Sequence, residues 1–529
     1  MDIDVELKNY RCFPDANSAR FTMGPGFAAF VGANNSGKSS LLKFLFEFRG
    51  LFGTISSTNG NLLTALRGGP QPTNLNGLLD PREVFSNTND RDIEIKLKFH
   101  DPDYEAHPNR PPAVTGVMVK IARRELMWTA AVSREQGPLP TDDQFGFSDT
   151  MLMSRRGEPL ADLEGLFRPC RVLTRCLYVG PFRNAINVGG GDYFDIQVGQ
   201  QFIQTWREYK TGMRTAANEA IYRLTQDIKS LFGFNYLEIN PTPNNETLQV
   251  FIDGKSYKLP ELGSGIAQFI IVLTNAATRQ PSFVLIDEPE LNLHPSLQLS
   301  FLTTLASYAT DGILFGTHSI GLAKTSAERI YSLRRASEGR SEMHPYESMP
   351  DLAQFLGELG YAGYRELGIE KVLLVEGPSD ARTVRQFLRK HGKENFSLVL
   401  PLGGSALINP NAESELAEVQ RISGHVFALV DSERNSPADP VPGDRLAFQQ
   451  VCARLGINCR ILDRRSLDNY LSDAAIKRIK GDNYRALEAY ESLSHLSPAW
   501  SKAENWRIAM EMNKSDLDGT DLGAFFEAL

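Results

Sequence analysis

Apolar and polar positions alternate through DVELKNYRCF, a polar turn follows at Pro14–Asn17, and Phe27–Val31 is apolar throughout, which predicts two opening strands. A glycine-rich loop then leads into LLKFLFEFRGLF, whose apolar residues recur at helical spacing. Residues 54–90 are rich in Gly, Asn, Pro and Thr and predict a long surface insertion; DIEIKLKFH predicts a strand, and residues 101–116 a second loop-rich stretch. Residues 201–232 predict helix, with Phe202, Trp206, Ile221, Leu224, Ile228 and Leu231 on the buried side. LQVFIDGKSYKL reads as strand, IAQFIIVLTNAA as helix, PSFVLIDEPE as a buried strand ending in acids, and GILFGTHS as a further strand after a helix from Pro295. The polar RRASEGRSE predicts a linker, and from Glu370 a new α/β pattern begins: KVLLVEGPSD, a helix to Arg389, SLVLPL, a helix, and HVFALVDSE. There is no internal repeat.

The order of elements implies an α/β fold in more than one domain, which a chain of 529 residues requires. No apolar run approaches the roughly 20 residues that cross a bilayer, and the acidic opening MDIDVELKNY is no signal peptide, so a cytoplasmic protein is expected. The 5 cysteines form no CxxC pair, which gives no ground for a zinc site or a disulfide framework. A net charge of −8 argues against a globally basic nucleic-acid wrapper. Local basic clusters remain as either solvated faces or parts of a groove: Arg385, Arg389, Lys390 and Lys393; Arg464 and Arg465; Lys477, Arg478 and Lys480.

Gly32-Ala33-Asn34-Asn35-Ser36-Gly37-Lys38-Ser39 fits G-x-x-x-x-G-K-[ST] between a predicted strand and a predicted helix. Backbone N–H groups there wrap phosphates, Lys38 reaches the β/γ-phosphates and the Ser39 hydroxyl ligates Mg2+. Asn34, Asn35, Gly37, Lys38, Ser39 and Ser40 are the expected nucleotide-binding residues. Asp287, ending the apolar strand Phe283–Ile286, is placed to hold the same Mg2+, and Glu288 to polarise the attacking water.

A second set of acids follows two later strands. Glu376 ends Val372–Val375, with Asp380 close behind, and Asp431 and Glu433 follow Val426–Val430. Carboxylates at the C-terminal ends of parallel strands converge on one rim and make a hard oxygen pocket for Mg2+ or Mn2+, suited to phosphodiester chemistry. Asp380 also fits a helix cap, and His425 reads as packing or surface.

Several of these segments resemble the Overcoming-lysogenization-defect nucleases, in which an ABC-type ATPase precedes a Toprim domain; Gabija nucleases, retron effectors and the PARIS proteins are relatives. Glu261-Leu262-Gly263-Ser264-Gly265 lies where an ABC signature lies, with LGSG for LSGG; Thr317-His318-Ser319 matches the switch-histidine segment and ELNLHP the D-loop. The resemblance implies that Ser264 and Gly265 close over ATP held by a second subunit, hence a homodimer or higher even oligomer, and that His318 meets the γ-phosphate. A Q-loop is not identified. Glu376-Gly377 and Asp431-Ser432-Glu433 resemble the Toprim motifs, Glu433 replacing the second Asp, and Asp468-Asn469-Tyr470-Leu471 resembles a Toprim E-N-Y-L segment with Asp for Glu. The implied metal ligands are Glu376, Asp380, Asp431, Glu433 and Asp468, and Arg464 and Arg465 are implied to meet the scissile phosphate.

The expected architecture is therefore an ABC-type P-loop ATPase domain at 1–345 with a helical insertion or dimerisation region near 150–250, a linker at 346–369, and a Toprim, Rossmann-like parallel-sheet domain at 370–529. The implied function is ATP-regulated, Mg2+- or Mn2+-dependent DNA cleavage in anti-phage defence. Three alternatives stay open: a PARIS-like sensor ATPase controlling a separate partner toxin, a fused form that cuts RNA such as tRNA, and a RecF/SMC-like repair ATPase that does not cut.

Overall fold

A computed structural model describes residues 1–100, 112–134, 137–138, 145–181, 191–336, 339–346, 371–394, 397–402, 413, 416, 419 and 425–529. The expected linker at 346–369 lies, Tyr346 apart, outside the described residues. The chain forms two compact units. One comprises Met1–Leu293, Thr304–His318 and Arg329–Tyr346; the other comprises His294–Thr303, Ser319–Glu328 and Glu347–Leu529.

In the first unit, a six-stranded sheet runs in the order Leu177–Val179, Phe283–Asp287, Gly312–Thr317, Gly26–Gly32, Arg329–Arg335, Ser341–Pro345. The first five strands are parallel and only the last is antiparallel. Phe283–Asp287 and Gly312–Thr317 are buried at every residue, which is why they read as unbroken apolar runs rather than as alternations. A second, antiparallel sheet is built on Asp2–Lys8 and Ile93–His100, paired from Asp2↔His100 to Lys8↔Glu94. Its strands alternate buried and open positions, as a sheet with one solvated face must. Tyr10, Phe44, Phe48 and Phe52 fill the core beside it, Phe44 meeting the other three rings at 5.1–5.8 Å, within the range where aromatic pairs attract.

Three expectations need correction. Residues 54–90 are not only a surface insertion: Leu62, Ala65, Val84 and Phe85 are at most 1% exposed, and a few apolar anchors in polar text are enough to seat a loop. The region 150–250 includes Leu177–Val179, an edge strand of the central sheet, so it is only partly an insertion. RRASEGRSE is not a linker, because Arg334 pairs with Glu342 and Arg335 with Ser341 at the sheet edge. The helical reading of 201–232 holds as two helices, Gly199–Thr211 and Thr215–Phe232, with all six anticipated side chains buried.

The second unit centres on a four-stranded, wholly parallel sheet in the order Ser397–Pro401, Lys371–Val375, His425–Val430, Asn458–Ile461. Helices Pro378–Lys390 and Gly443–Arg454 supply crossovers. Its C-terminal part, with Trp506 and Phe526 fully buried, packs onto the strand side chains Leu373 and Val375; each such aliphatic group contributes about 1.5–3 kcal/mol by leaving water. Among the described residues, no helix is long and apolar enough to cross a membrane.

Candidate active sites

Parallel pairing sets the first site. Asp287 lies opposite Gly316, and Thr317 opposite Val31, so the ends of three strands deliver the glycine-rich loop, the Asp287-Glu288 pair and His318 to one rim. Gly37 opens helix Lys38–Glu47 with φ 100°. A Cβ there would stand 2.8 Å from Cys12 Sγ and Phe13 Cζ, so glycine is required both for the turn and for the close approach.

Lys38 Nζ donates to the carbonyls of Gly32 at 2.8 Å and Ala33 at 3.0 Å. Burial lowers its pKa, opposed by Asp287, Glu288 and Glu290. Nε2 of His318 lies 3.3 Å from that ammonium and 3.0 Å from Glu288 Oε1. One ring nitrogen either accepts from the lysine or donates to the carboxylate, so His318 chooses between them by tautomer and charge. Glu288 itself has φ 52°, and its N–H donates to Gly316 O at 2.8 Å, which fixes the turn that aims it.

Asp287 is 3% exposed, and among the described residues neither of its carboxylate oxygens meets a donor in full hydrogen-bonding geometry. Burial raises its pKa; the Ser39 hydroxyl lowers it, Glu288 raises it and Lys38 lowers it. A buried, orphaned carboxylate beside a serine hydroxyl at a phosphate loop is a hard-oxygen donor set that fits Mg2+. Ser264 and Gly265 begin helix Ser264–Arg279. A Cβ on Gly265 would come within 2.9 Å of Asn292 O, so the segment Glu290–Pro295 packs directly against this turn.

Glu290 was not anticipated. Its Oε1 accepts from Thr317 Oγ1 at 2.6 Å and from the His318 N–H at 2.9 Å. It therefore clamps the backbone that carries His318, and its sequence signals are a further acid after Asp287-Glu288 and its place at the start of ELNLHP. Glu290→Gln should lower ATP turnover on the order of 10²-fold, the lower end of what positioned catalytic groups contribute. Nucleotide affinity should change little; a comparison of phosphate release with equilibrium binding checks this.

In the second unit, Lys371–Val375 pairs in parallel with His425–Val430, which brings Glu376 beside Asp431: the Asp431 N–H donates to Glu376 Oε1 at 2.9 Å. Asp431 Oδ1 accepts from Leu467 N at 2.9 Å, tying in the segment that holds Asp468. Asp468 accepts from Asn505 Nδ2 at 2.6 Å and lies 3.0 Å from Lys502 Nζ. Asp380 accepts from Gly377 N at 3.0 Å; it caps its helix and also joins the cluster. Burial pushes Asp380 up to about 7; Asp468 and Glu376 add to the rise and Lys502 opposes it. Asp431 is raised well above the ordinary carboxyl value by burial, then by Asp380, Glu376 and Asp468, again against Lys502. Glu376 is raised by burial, partly offset by the Asp431 N–H and by Arg445.

Two buried carboxylates, Asp431 and Asp468, and two partly buried ones, Glu376 and Asp380, outnumber the cations Lys502 and Arg445 beside them, and on donor chemistry this fits Mg2+ or Mn2+. As the side chains stand, no three His, Cys, Asp or Glu groups among the described residues are close enough to share one cation. Lys502 and Asn505, both missed from the sequence, stand far along the chain in SKAENW, a stretch with no motif.

Glu433 differs from its expected role. Its carboxylate is held 2.8 Å from Arg465 Nη2, and a φ of 54° turns the backbone there. Arg464 is also engaged: it stacks 4.7 Å over the Tyr470 ring and donates to Asn469 O at 2.6 Å. Of the basic clusters, Lys390 and Lys393 donate to carbonyls at Met510, Phe526 and Glu527, and Lys477, Arg478 and Lys480 pair with Asp473, Glu511 and Glu504.

Two family models match the chain: residues 4–146 match an AAA domain and residues 195–323 an AAA ATPase domain. The first span holds the phosphate loop, the second Ser264, Asp287, Glu288 and His318. A search of curated proteins finds no match. Among solved structures, the chain is similar to an SMC head domain from Thermotoga maritima (16% identity, 65% of this chain, 98% of that one, TM-score 0.32). Others are an SMC head bound to the C-winged helix domain of ScpA (13%, 65%, 96%, 0.35), and an SMC head with an extended coiled coil bound to the C-terminal domain of ScpA from Pyrococcus furiosus (11%, 68%, 100%, 0.34).

Proposed function

We propose that this chain, an ATPase with AAA-type domains, is an ATP-governed, divalent-metal-dependent DNA endonuclease of the Overcoming-lysogenization-defect kind, acting in anti-phage defence. One observation carries the reading: Glu376 and Asp431 end adjacent parallel strands and are joined by a 2.9 Å hydrogen bond, with the charges of Asp380 and Asp468 near enough to disfavour ionisation of Asp431. A stability role does not account for this, since clustered buried carboxylates repel and are poorly solvated.

In the first site, Lys38 exchanges its loop carbonyls for β/γ-phosphate oxygens, which the loop N–H groups also receive. Ser39 and Asp287 would hold Mg2+, which when bound supplies charge neutralisation of the triphosphate. Glu288 orients the attacking water and accepts its proton, and His318, released from Lys38, turns to the γ-phosphate. Ser264 and Gly265 close over nucleotide held by a second copy, which makes a homodimer the working unit.

In the second site, Glu376, Asp380, Asp431 and Asp468 are the residues that would hold Mg2+ or Mn2+, which when bound supplies a Lewis acid and an activated water. Lys502, half-exposed along its side chain, has its pKa raised by Asp468 and Asp431 against the opposing effect of desolvation; it stays protonated and is placed to neutralise a phosphodiester oxygen. Glu433 and Arg465 order the loop beside it. Glu376→Ala should abolish Mg2+- or Mn2+-dependent cleavage of plasmid and linear DNA while leaving ATP binding intact. Cleavage unchanged by that substitution would refute the assignment, and tRNA in the same assay tests RNA as substrate.

A second reading, a switch ATPase that does not cut, is favoured by the 3.0 Å Lys502–Asp468 ion pair, which offsets part of the cluster's charge without any metal. Wild-type protein inert on DNA and tRNA at every metal concentration selects it.

A further inference from the structure

Helix Pro378–Lys390 carries Asp380 in its first turn and two buried arginines behind it, Arg382 at 0% and Arg385 at 7% exposure. At about 100° per residue, Asp380 and Arg382 project from nearly opposite sides, while Arg382 and Arg385 share one side. Arg382 Nη1 donates to the Ser326 carbonyl and the same guanidinium pairs with Glu328. Arg385 donates to Ser300 Oγ and lies 3.7 Å from Glu394.

Those partners belong to special stretches of chain. Ser326 ends helix Ile320–Ser326, which begins two residues after His318. Ser300 lies in helix Pro295–Ser307, which follows directly on the loop carrying Glu288 and Glu290. Thus the segments that continue from the two loops facing the triphosphate, His294–Thr303 and Ser319–Glu328, fold into the second unit, not the first. Burying an arginine is costly unless it is fully paired, and apolar residues of similar volume are often as stable. Burial lowers the Arg382 pKa to about 9, with Arg507 adding to the fall. What the guanidinium fork offers over an apolar side chain is a directional, rigid link.

We infer that Arg382 and Arg385 are positioning residues that carry the nucleotide state of the Glu288 and His318 loops, through helices Pro295–Ser307 and Ile320–Ser326, to Asp380 and the acid cluster. The inference rests on the nuclease reading of that cluster. A movement of either segment is delivered to one side of helix Pro378–Lys390 and displaces the carboxylate on the other.

The test compares wild type, Arg382→Gln, Arg385→Gln and Ser300→Ala as full chains, with and without a slowly hydrolysed ATP analogue and Mg2+. Hydrogen exchange of residues 378–390, DNA cleavage, ATP hydrolysis and Tm are read together. In wild type, the analogue should alter exchange in this helix and change cleavage by roughly 5–150-fold, the span of typical couplings. In the variants that response should collapse toward unity, with ATP hydrolysis retained. Folded variants that keep the full nucleotide response, or a wild-type helix whose exchange ignores nucleotide, overturn the inference. Should Arg382→Gln fail to fold, Ser300→Ala and Arg385→Gln decide. Exchange reports coupling even if Glu376→Ala leaves cleavage intact, so loss of the nuclease reading and loss of the coupling are told apart.

Discussion

Lys38→Ala should lower ATP hydrolysis on the order of 10²–10³-fold, the loss seen when a preorganised charge-stabilising group is removed, and should weaken ATP binding as well. The reason lies in the charge around the site. Asp287, Glu288 and Glu290 all act on this ammonium. Without it, a tetra-anionic nucleotide meets three carboxylates. The lysine's present partners are two loop carbonyls and His318, none of which holds the core, so Tm should hardly move. Binding isotherms and phosphate release measured beside Tm check all three statements. Hydrolysis at the wild-type rate would remove the catalytic role given to this loop.

Asp431→Asn should move activity and stability in opposite directions. Cleavage should fall by at least about 10²-fold, since an amide cannot supply the carboxylate a hard divalent cation requires. The metal-free protein should become more stable. Asp431 is fully buried, and its raised pKa means that folding penalises its charged form. An Asn is isosteric, keeps an oxygen to accept from Leu467 N, and removes one charge from the cluster. A higher Tm than that of wild type is therefore expected in chelator. With saturating Mg2+ the order should reverse, because wild type gains stability by binding what the variant binds poorly. Thermal scans in chelator and in Mg2+ decide it. A variant less stable than wild type in chelator would mean that the carboxylates are not repelling one another.

Much of the first site was legible because its chemistry depends on short local motifs. Gly32–Ser39 and Phe283–Glu288 each combine an apolar strand with its functional tip, and the structure puts both tips on one rim. The His318 position was legible as a residue following a buried strand, but the Glu290 clamp on its backbone was not, because a hydrogen bond from Thr317 across a loop leaves no periodicity. The second site was legible only in part. Glu376 and Asp431 announce themselves as acids ending apolar runs, whereas Lys502 and Asn505 reach the cluster from a C-terminal segment without a motif. The same holds for the misread segments. RRASEGRSE looks like a linker because exposed edge residues are polar whether or not they pair.

By itself, the sequence determined what strand and helix periodicity encode: two α/β regions, a phosphate loop, and which carboxylates cap which strands. These are local properties, since side-chain alternation and tip chemistry are set within a few residues. Only the tertiary structure decided which acids meet, that Lys502 stands among them, that Glu433 is tied to Arg465, and that the stretches after Leu293 and His318 fold with the second unit. Those outcomes depend on strand order and on contacts between residues up to a hundred or more positions apart, which no local pattern carries.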